Sequence, residues 1–274
     1  MQNLFSYQGK RVLVCGCYSG MGEAAAMIAR SLGAEVVAVD IKKPSFDFSK
    51  YLEVDLRDPR AIEQMVADVA GSGPIDRLFY CAGLPGSFPA VDVMLVNFLG
   101  QRHTIEHCAP RMPRTGAIAS ISSAAGMAWQ MMLDKVMPLL VLEDHAASVA
   151  WVEKNQKEPW FECYSFSKMC TIAYTLRRAA TLAPATGVRL NCISPGPTDT
   201  PMMPAFIQGV GAEFMAAYPR PLGRNSTAEE QGWPMVFLNS DAASYVNGEN
   251  LYTDGGTTGG IFTGSVKPPV PPKR

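Results

Sequence analysis

The chain is 274 residues long, enough to bury a full core as one α/β domain. Lys+Arg 24 against Asp+Glu 25 leaves a net charge of -1, so no basic excess points to nucleic acid or an anionic membrane, and a small molecule is the expected partner. Residues 1–9 lack a basic region followed by an apolar run, and no later window reaches membrane-spanning length without charges, which predicts an unexported, cytoplasmic protein with no membrane contact.

Taken in chain order, Arg11 to Cys15 is a short apolar run that ends in glycines, and Glu23 to Leu32 is an alanine-rich helix closed by Gly33. Glu35 to Asp40 reads as a second buried strand and Tyr51 to Asp55 as a third. Pro59 to Val69 is helical with proline in its first turn. Ile75 to Cys81 is a strand, Val91 to Cys108 one long helix, and Gly116 to Ser122 a fifth strand. Glu162 to Leu182 is a helix, Val188 to Ile193 a strand, Ala228 to Leu238 a helix and Asn250 to Thr253 a last strand. Such alternation implies a doubly wound parallel sheet covered by helices on both faces, in a single domain over residues 1–266. Lys267 to Arg274, with four prolines, is expected to be an extended arm.

Within this frame, Gly16-Cys-Tyr-Ser-Gly20-Met-Gly22 connects the first strand to the first helix, where backbone amides and the helix dipole attract a pyrophosphate. Its GxxxGxG spacing differs from the commoner GxGxxG, and a glycine-rich turn alone is also a tight connection. Asp40 adds weight: an acid at the end of the second strand accepts hydrogen bonds from an adenosine ribose and repels a 2′-phosphate. NAD(H) is therefore expected over NADP(H), although Lys42 and Lys43 stand nearby. Tyr164 and Lys168 are four residues apart and share a helix face. A lysine cation beside a tyrosine favours the phenolate and lowers a pKa of about 10, which makes the pair a candidate acid/base.

The seven cysteines (Cys15, Cys17, Cys81, Cys108, Cys163, Cys170, Cys192) are odd in number, scattered through apolar segments and never at CxxC spacing, so they read as reduced core residues. His103, His107 and His145 show no ligand spacing with carboxylates or thiols, and no metal is expected.

With these pieces in order, the chain resembles the short-chain dehydrogenase/reductase family over nearly its whole length. Gly16 to Gly22 is similar to the family's glycine motif, Asp55 to the acid placed near adenine, and Cys81-Ala82-Gly83 to the end of its NNAG segment. Asn97 stands in the place of its helix asparagine, Ile121-Ser122-Ser123 in that of its serine strand, and Tyr164 with Lys168 in that of YxxxK. Asn191 to Thr200 is similar to the stretch that holds the nicotinamide carboxamide. The resemblance implies a Rossmann fold and catalytic roles for Asn97, Ser123, Tyr164 and Lys168. It implies cofactor contacts from Gly16, Ser19, Gly20, Met21, Gly22, Asp40, Ile41, Asp55, Leu56, Cys81, Ala82, Gly83, Tyr164, Lys168, Pro195, Gly196, Thr198 and Thr200. In that scheme Tyr164 exchanges a proton with the carbonyl oxygen, Ser123 orients that oxygen, and Lys168 contacts the nicotinamide ribose. Asn97 holds a helix distortion and a water leading to solvent. Ser122 competes with Ser123, its other reading being a strand hydroxyl bonded to neighbouring backbone.

Two departures matter. Tyr80 and Cys81 replace the NNAG asparagines, so whatever those amides stabilise must be supplied otherwise. Forty residues separate Ser123 from Tyr164, and residues 127–161, rich in Trp, Met and Leu, read as an extra helical hairpin buried against something. That insertion makes the chain most similar to the 3α-hydroxysteroid dehydrogenase/carbonyl reductase branch. It could cover the family's tetramer interface, extend it, or rim the substrate cleft, and a homo-oligomer, dimer or tetramer, is expected. Met202, Met203, Phe206, Ile207, Phe214, Met215 and Tyr218 follow the Pro-Gly motif as a candidate apolar lid, suited to a bulky hydrophobic ketone or secondary alcohol. The alternatives are an acyl-thioester reductase and an NAD-binding regulator without turnover.

Overall fold

A computed structural model describes residues 3–269. Its strands are β1 (Arg11–Cys15), β2 (Glu35–Asp40), β3 (Lys50–Glu53), β4 (Arg77–Tyr80), β5 (Ala117–Ile121), β6 (Arg189–Pro195), β7 (Thr198–Asp199), β8 (Ser226–Thr227) and β9 (Asn250–Thr253). Seven form one sheet in the order β3-β2-β1-β4-β5-β6-β9, all pairs parallel, and β7 with β8 makes a separate two-stranded ribbon. β1 and β5 are buried at every residue, as strands covered on both faces must be. The order reverses between β1 and β4, so the crevice beyond their carboxyl ends is where such a sheet receives a ligand.

The helices are α1 (Gly20–Ser31), α2 (Pro59–Gly71), α3 (Ala90–Met94), α4 (Gly100–Cys108), α5 (Leu133–Leu140), α6 (His145–Asn155), α7 (Cys163–Thr186), α8 (Met203–Val210), α9 (Ala212–Ala217), α10 (Ala228–Asn239) and α11 (Thr257–Phe262). Two apolar clusters lie on opposite faces of the sheet. Leu13, Val37, Leu78 and Ile118 point into one with Ile62, Phe98 and Phe166, while Val12, Val14, Phe79 and Ala119 point into the other with Ile28 and Met235. The two-residue alternation of a strand sends neighbours to opposite sides. No helix among the described residues is long and apolar enough to cross a membrane.

The expected single helix over Val91–Cys108 is corrected. A π-helical turn, Leu95–Leu99, separates α3 from α4. A wider turn releases carbonyl groups from the regular ladder, and here the Val96 carbonyl accepts a hydrogen bond of 2.7 Å from the Tyr80 hydroxyl. Tyr80 thus braces the distorted turn from the end of β4.

Between β5 and α7 the chain forms a 3-10 segment, Ala124–Gln130, and then α5 and α6. Asp144 caps α6 by accepting from the Ala147 amide at 2.6 Å. Trp151 stacks on Phe166 of α7 with ring centroids 5.9 Å apart and 15° between planes, and Trp160 stands 5.4 Å from the same ring. The buried Arg102 of α4 donates to the Leu139 carbonyl and to Ser148 Oγ, tying both insertion helices to the sheet-covering layer. The extended arm expected from Lys267 falls mostly outside the described residues, and residues 267–269 lie in no helix or strand.

Candidate active site

Gly16 leaves β1 with φ 82 and crosses so near β4 that a Cβ there would strike the backbone of Ala82. A Cβ on Gly22, inside α1, would fall on the carbonyl oxygen of Gly16. Only glycine permits this packing of turn on helix. Ser19 takes the N-cap position of α1 in an extended conformation, yet its hydroxyl makes no capping hydrogen bond. The first-turn amides of α1 therefore lack the side-chain partner that Asp58 gives α2 and Glu162 gives α7.

A cleft of about 340 Å³ opens beside this turn, lined among others by Gly16, Ser19, Asp40, Ile41, Asp55, Leu56, Cys81, Ala82 and Gly83. These are nine of the residues singled out in the sequence. Asp40 ends β2 and accepts from the Tyr18 amide at 2.9 Å and the Lys42 amide at 3.2 Å, which hold its carboxylate at the rim. Asp55 is gripped by Arg57 through both oxygens, and this hydrogen-bonded guanidinium lowers its pKa. Lys42, noted in the sequence beside Asp40, and Tyr18, inside the glycine motif, line the same cleft, as do Arg57, Leu84, Phe88 and Val96, which no local motif marks.

At the neighbouring end of β5, Ser122 and Ser123 part ways. Buried Ser122 donates to the Lys168 carbonyl at 2.8 Å. Ser123 Oγ accepts from the Ala125 amide at 3.1 Å, and the Ser123 side chain lies close enough to the Tyr164 phenol to pull its pKa down. Glu162 caps α7 by accepting from the amides of Tyr164 and Ser165, which fixes the first turn that presents the tyrosine. One turn on, Lys168 is 4% exposed; its Nζ lies 5.7 Å from the Tyr164 ring centroid and donates to the Ile121 carbonyl at 2.9 Å. Asn97, on the π turn, accepts from the Leu84 amide at 2.7 Å and donates to the Leu84 carbonyl at 3.0 Å and to Ser167 Oγ at 3.2 Å. It clamps the segment after β4 to the helix that carries Tyr164 and Lys168.

The expected depression of the Tyr164 pKa by Lys168 is corrected. Burial pushes the phenol up to about 12, against the pull of the Ser123 side chain and with an added push from Glu162. Burial brings Lys168 down to about 8. Desolvation leads both shifts, and the Lys168 ammonium donates to the Ile121 carbonyl.

Beyond β6 the expected set divides. Thr200 touches Gly20, where a Cβ would stand 3.4 Å from it. Gly196 lines a second depression of about 230 Å³. The Thr198 hydroxyl donates to the Gly196 carbonyl at 3.0 Å and meets Ser226 Oγ at 2.9 Å, so its bonding is spent within the ribbon of β7 and β8. Of the apolar residues that follow, Phe206 of α8 stands edge-on to Tyr164 with centroids 5.1 Å apart, and Met202 reaches the large cleft. Met215 is buried, a core residue of the segment instead of a lid facing the site. No residue of α8 is buried, which leaves that helix lying over the surface.

His103 Nε2 lies 3.0 Å and His107 Nε2 3.9 Å from Glu63 Oε1, so a carboxylate does approach them; it comes from α2, forty residues earlier than His103. Six of the seven cysteines, all but Cys81, are buried.

A family model described as short chain dehydrogenase matches residues 10–134, and one described as enoyl-(acyl carrier protein) reductase matches residues 129–258. A coniferyl-alcohol dehydrogenase of Pseudomonas sp. is 31% identical over 247 residues, covering 90% of this chain and 96% of the relative. A 3-alpha-hydroxysteroid dehydrogenase/carbonyl reductase of Comamonas testosteroni is also 31% identical, over 89% of this chain and 95% of the relative. Among solved structures, the 3-alpha-hydroxysteroid dehydrogenase of Pseudomonas sp. B-0831 complexed with NADH superposes with TM-score 0.77 at 26% identity, covering 93% of this chain and 98% of that one. The sheet order, the glycine turn on α1 and these matches agree: the chain belongs to the short-chain dehydrogenase/reductase family and is an oxidoreductase.

Proposed function

We propose that the protein interconverts a bulky hydrophobic ketone and its secondary alcohol with NAD(H), Tyr164 serving as the acid/base. The observation that carries this reading is Tyr164 one helical turn from a buried Lys168, with Ser123 close enough to pull the phenol pKa down and the ring of Phe206 edge-on to Tyr164. A nicotinamide dinucleotide fits the residues present. The amides of α1 have no side-chain cap, the glycine crossing leaves the backbone bare, and the Asp40 carboxylate at the cleft rim favours a ribose diol over a 2′-phosphate. Gly16, Ser19, Gly20, Met21 and Gly22 would hold the pyrophosphate and Asp40 the adenosine ribose. Asp55 with Leu56 would flank adenine, and Thr200, at Gly20, would face the nicotinamide half. When bound, this cofactor supplies or accepts the hydride.

The chain's own residues manage the proton. With its pKa raised to about 12, Tyr164 holds its proton at neutral pH and donates it to a carbonyl oxygen placed between it and Ser123. Ser123 gives a second hydrogen bond to that oxygen and sets its direction. Lys168, held by Ile121, keeps positive charge near the phenol as it gives up the proton. Asn97 keeps the segment around Leu84 against α7, so the two halves of the site stay in register.

The apolar lid and the named activities of the two curated relatives, on an aromatic alcohol and on hydroxysteroids, favour ring-bearing hydrophobic substrates over sugars. The test is Tyr164→Phe. It should bind NADH as wild type does while its kcat for ketone reduction falls by about 10²–10⁴. Retained turnover would refute the role of Tyr164, and NADH bound without any turnover of cyclic, steroidal or aryl ketones by the wild type would favour the regulator.

A further inference from the structure

We propose that Glu63, His103 and His107 form a divalent transition-metal site of the zinc type that staples α2 to α4. His103 and His107 are one turn apart on α4 and present their rings side by side, with centroids 4.4 Å apart. Glu63 rises to meet them from the second turn of α2. Its Oε1 is 3.0 Å from His103 Nε2 and 3.9 Å from His107 Nε2, and one ligand atom from each of the three lies within 4.8 Å of the others. Zinc binds imidazole nitrogen and carboxylate oxygen at roughly 2.0–2.2 Å, so donors at tetrahedral corners stand about 3.3–3.5 Å apart. The two observed distances bracket that separation, and closing onto one ion needs only a small turn of the rings.

The surroundings support the same reading. The side chains of His103 and His107 are 16% and 34% exposed, and that of Glu63 is 49% exposed, so an ion has a path in and water can fill the remaining coordination. His145, at the start of α6, packs edge-on against His103 with centroids 5.2 Å apart and 68° between planes, which restrains that ring. Two imidazoles with one carboxylate and no thiolate suit Zn²⁺, and also Co²⁺ or Ni²⁺, better than Mg²⁺ or Ca²⁺. The cluster sits on the α2–α4 surface and involves none of the residues given to hydride or proton transfer, so its effect is on stability. A cation that binds the folded chain alone stabilises it by mass action.

The test uses the full chain, stripped with a chelator and titrated with Co²⁺ and with Zn²⁺. One Co²⁺ per chain is expected, with visible d–d bands of nitrogen and oxygen coordination and no thiolate charge-transfer band. Zn²⁺ should raise the melting temperature by several degrees. Glu63→Gln and His107→Ala should each weaken binding about tenfold or more, and the double variant His103→Gln/His107→Gln should abolish it. Glu63→Gln is a surface change that keeps a hydrogen-bond acceptor for His103, and the metal-free melting temperature of each variant reports whether it is folded. Absence of stoichiometric binding, a thiolate band, or unchanged affinity in folded variants would overturn the site and leave only a His103–Glu63 hydrogen bond.

Discussion

Tyr80 donates its hydroxyl proton to the carbonyl of Val96 at 2.7 Å, joining the end of β4 to the π turn that carries Asn97. Two positions that depart from a regular pattern, one by side chain and one by backbone, thus compensate one another. Asn97 then spends its amide on Leu84, and the segment that borders both the cleft and Lys168 is held in one conformation. Tyr80→Phe should remove this part-buried hydrogen bond, at a cost of about 0.5–1.5 kcal/mol. The urea midpoint should fall while the NADH preference remains; an unchanged midpoint would deny the brace its importance.

Lys168 gives a pH signature with a definite sign. Its folded-state pKa is lowered to about 8, whereas in the unfolded chain it is near 10.4. Below pH 8 both states carry the proton and the burial penalty is fully present. Between about 8 and 10.4 the unfolded chain binds more protons, so this group makes stability rise with pH, by on the order of 3 kcal/mol in total. Wild type should therefore gain on Lys168→Met as pH is raised from 7.5 to 10. Parallel urea-midpoint curves for the two proteins would contradict the assignment.

Asp40→Ala removes the carboxylate at the cleft rim. Loss of charge-assisted hydrogen bonds to a ribose, about 1.5–3 kcal/mol, corresponds to roughly 10–100-fold in NADH affinity. NADPH should lose less and the preference for NADH should narrow. Equal losses for both cofactors, measured by fluorescence titration, would remove Asp40 from the discrimination.

Gly22→Ala places a methyl against the carbonyl oxygen of Gly16, backbone that cannot rotate away. Overpacking of about 1–3 kcal/mol is expected, seen as a lower melting temperature, together with weaker NADH binding at temperatures where the variant is still folded. Wild-type values for both would show that the turn and α1 are looser than the structure has them.

Phe206→Ala opens the edge contact with the Tyr164 ring. Aromatic pairs contribute about 0.5–1.5 kcal/mol beyond burial, so KM for a ring-bearing ketone should rise up to about tenfold while kcat for a small ketone changes little. A fall in kcat for small and large ketones alike would make Phe206 a positioning residue for Tyr164 instead of a wall of the substrate site.

Much of the site was legible because its signals are local. A glycine turn between an apolar run and an alanine-rich helix, an acid closing the next strand, and two side chains four apart on one helix are set by neighbours in the chain, and the structure has β1, α1, β2 and α7 where those signals stand. The parallel sheet followed from alternation, since a strand buried on both faces can be apolar throughout. By contrast, no residue type marks the π turn at Leu95–Leu99, and Thr198 has a hydroxyl whose partner, Ser226, is 28 residues away. The Tyr164 pKa depends on how much water the fold removes, which no spacing reveals. The approach of Glu63 to His103 and His107 exists only because α2 and α4 pack side by side. Residue type and short-range spacing determined which chemistry the chain carries; tertiary structure decided which groups meet and how dry they are, because desolvation and contacts between distant segments come into being only when the core closes.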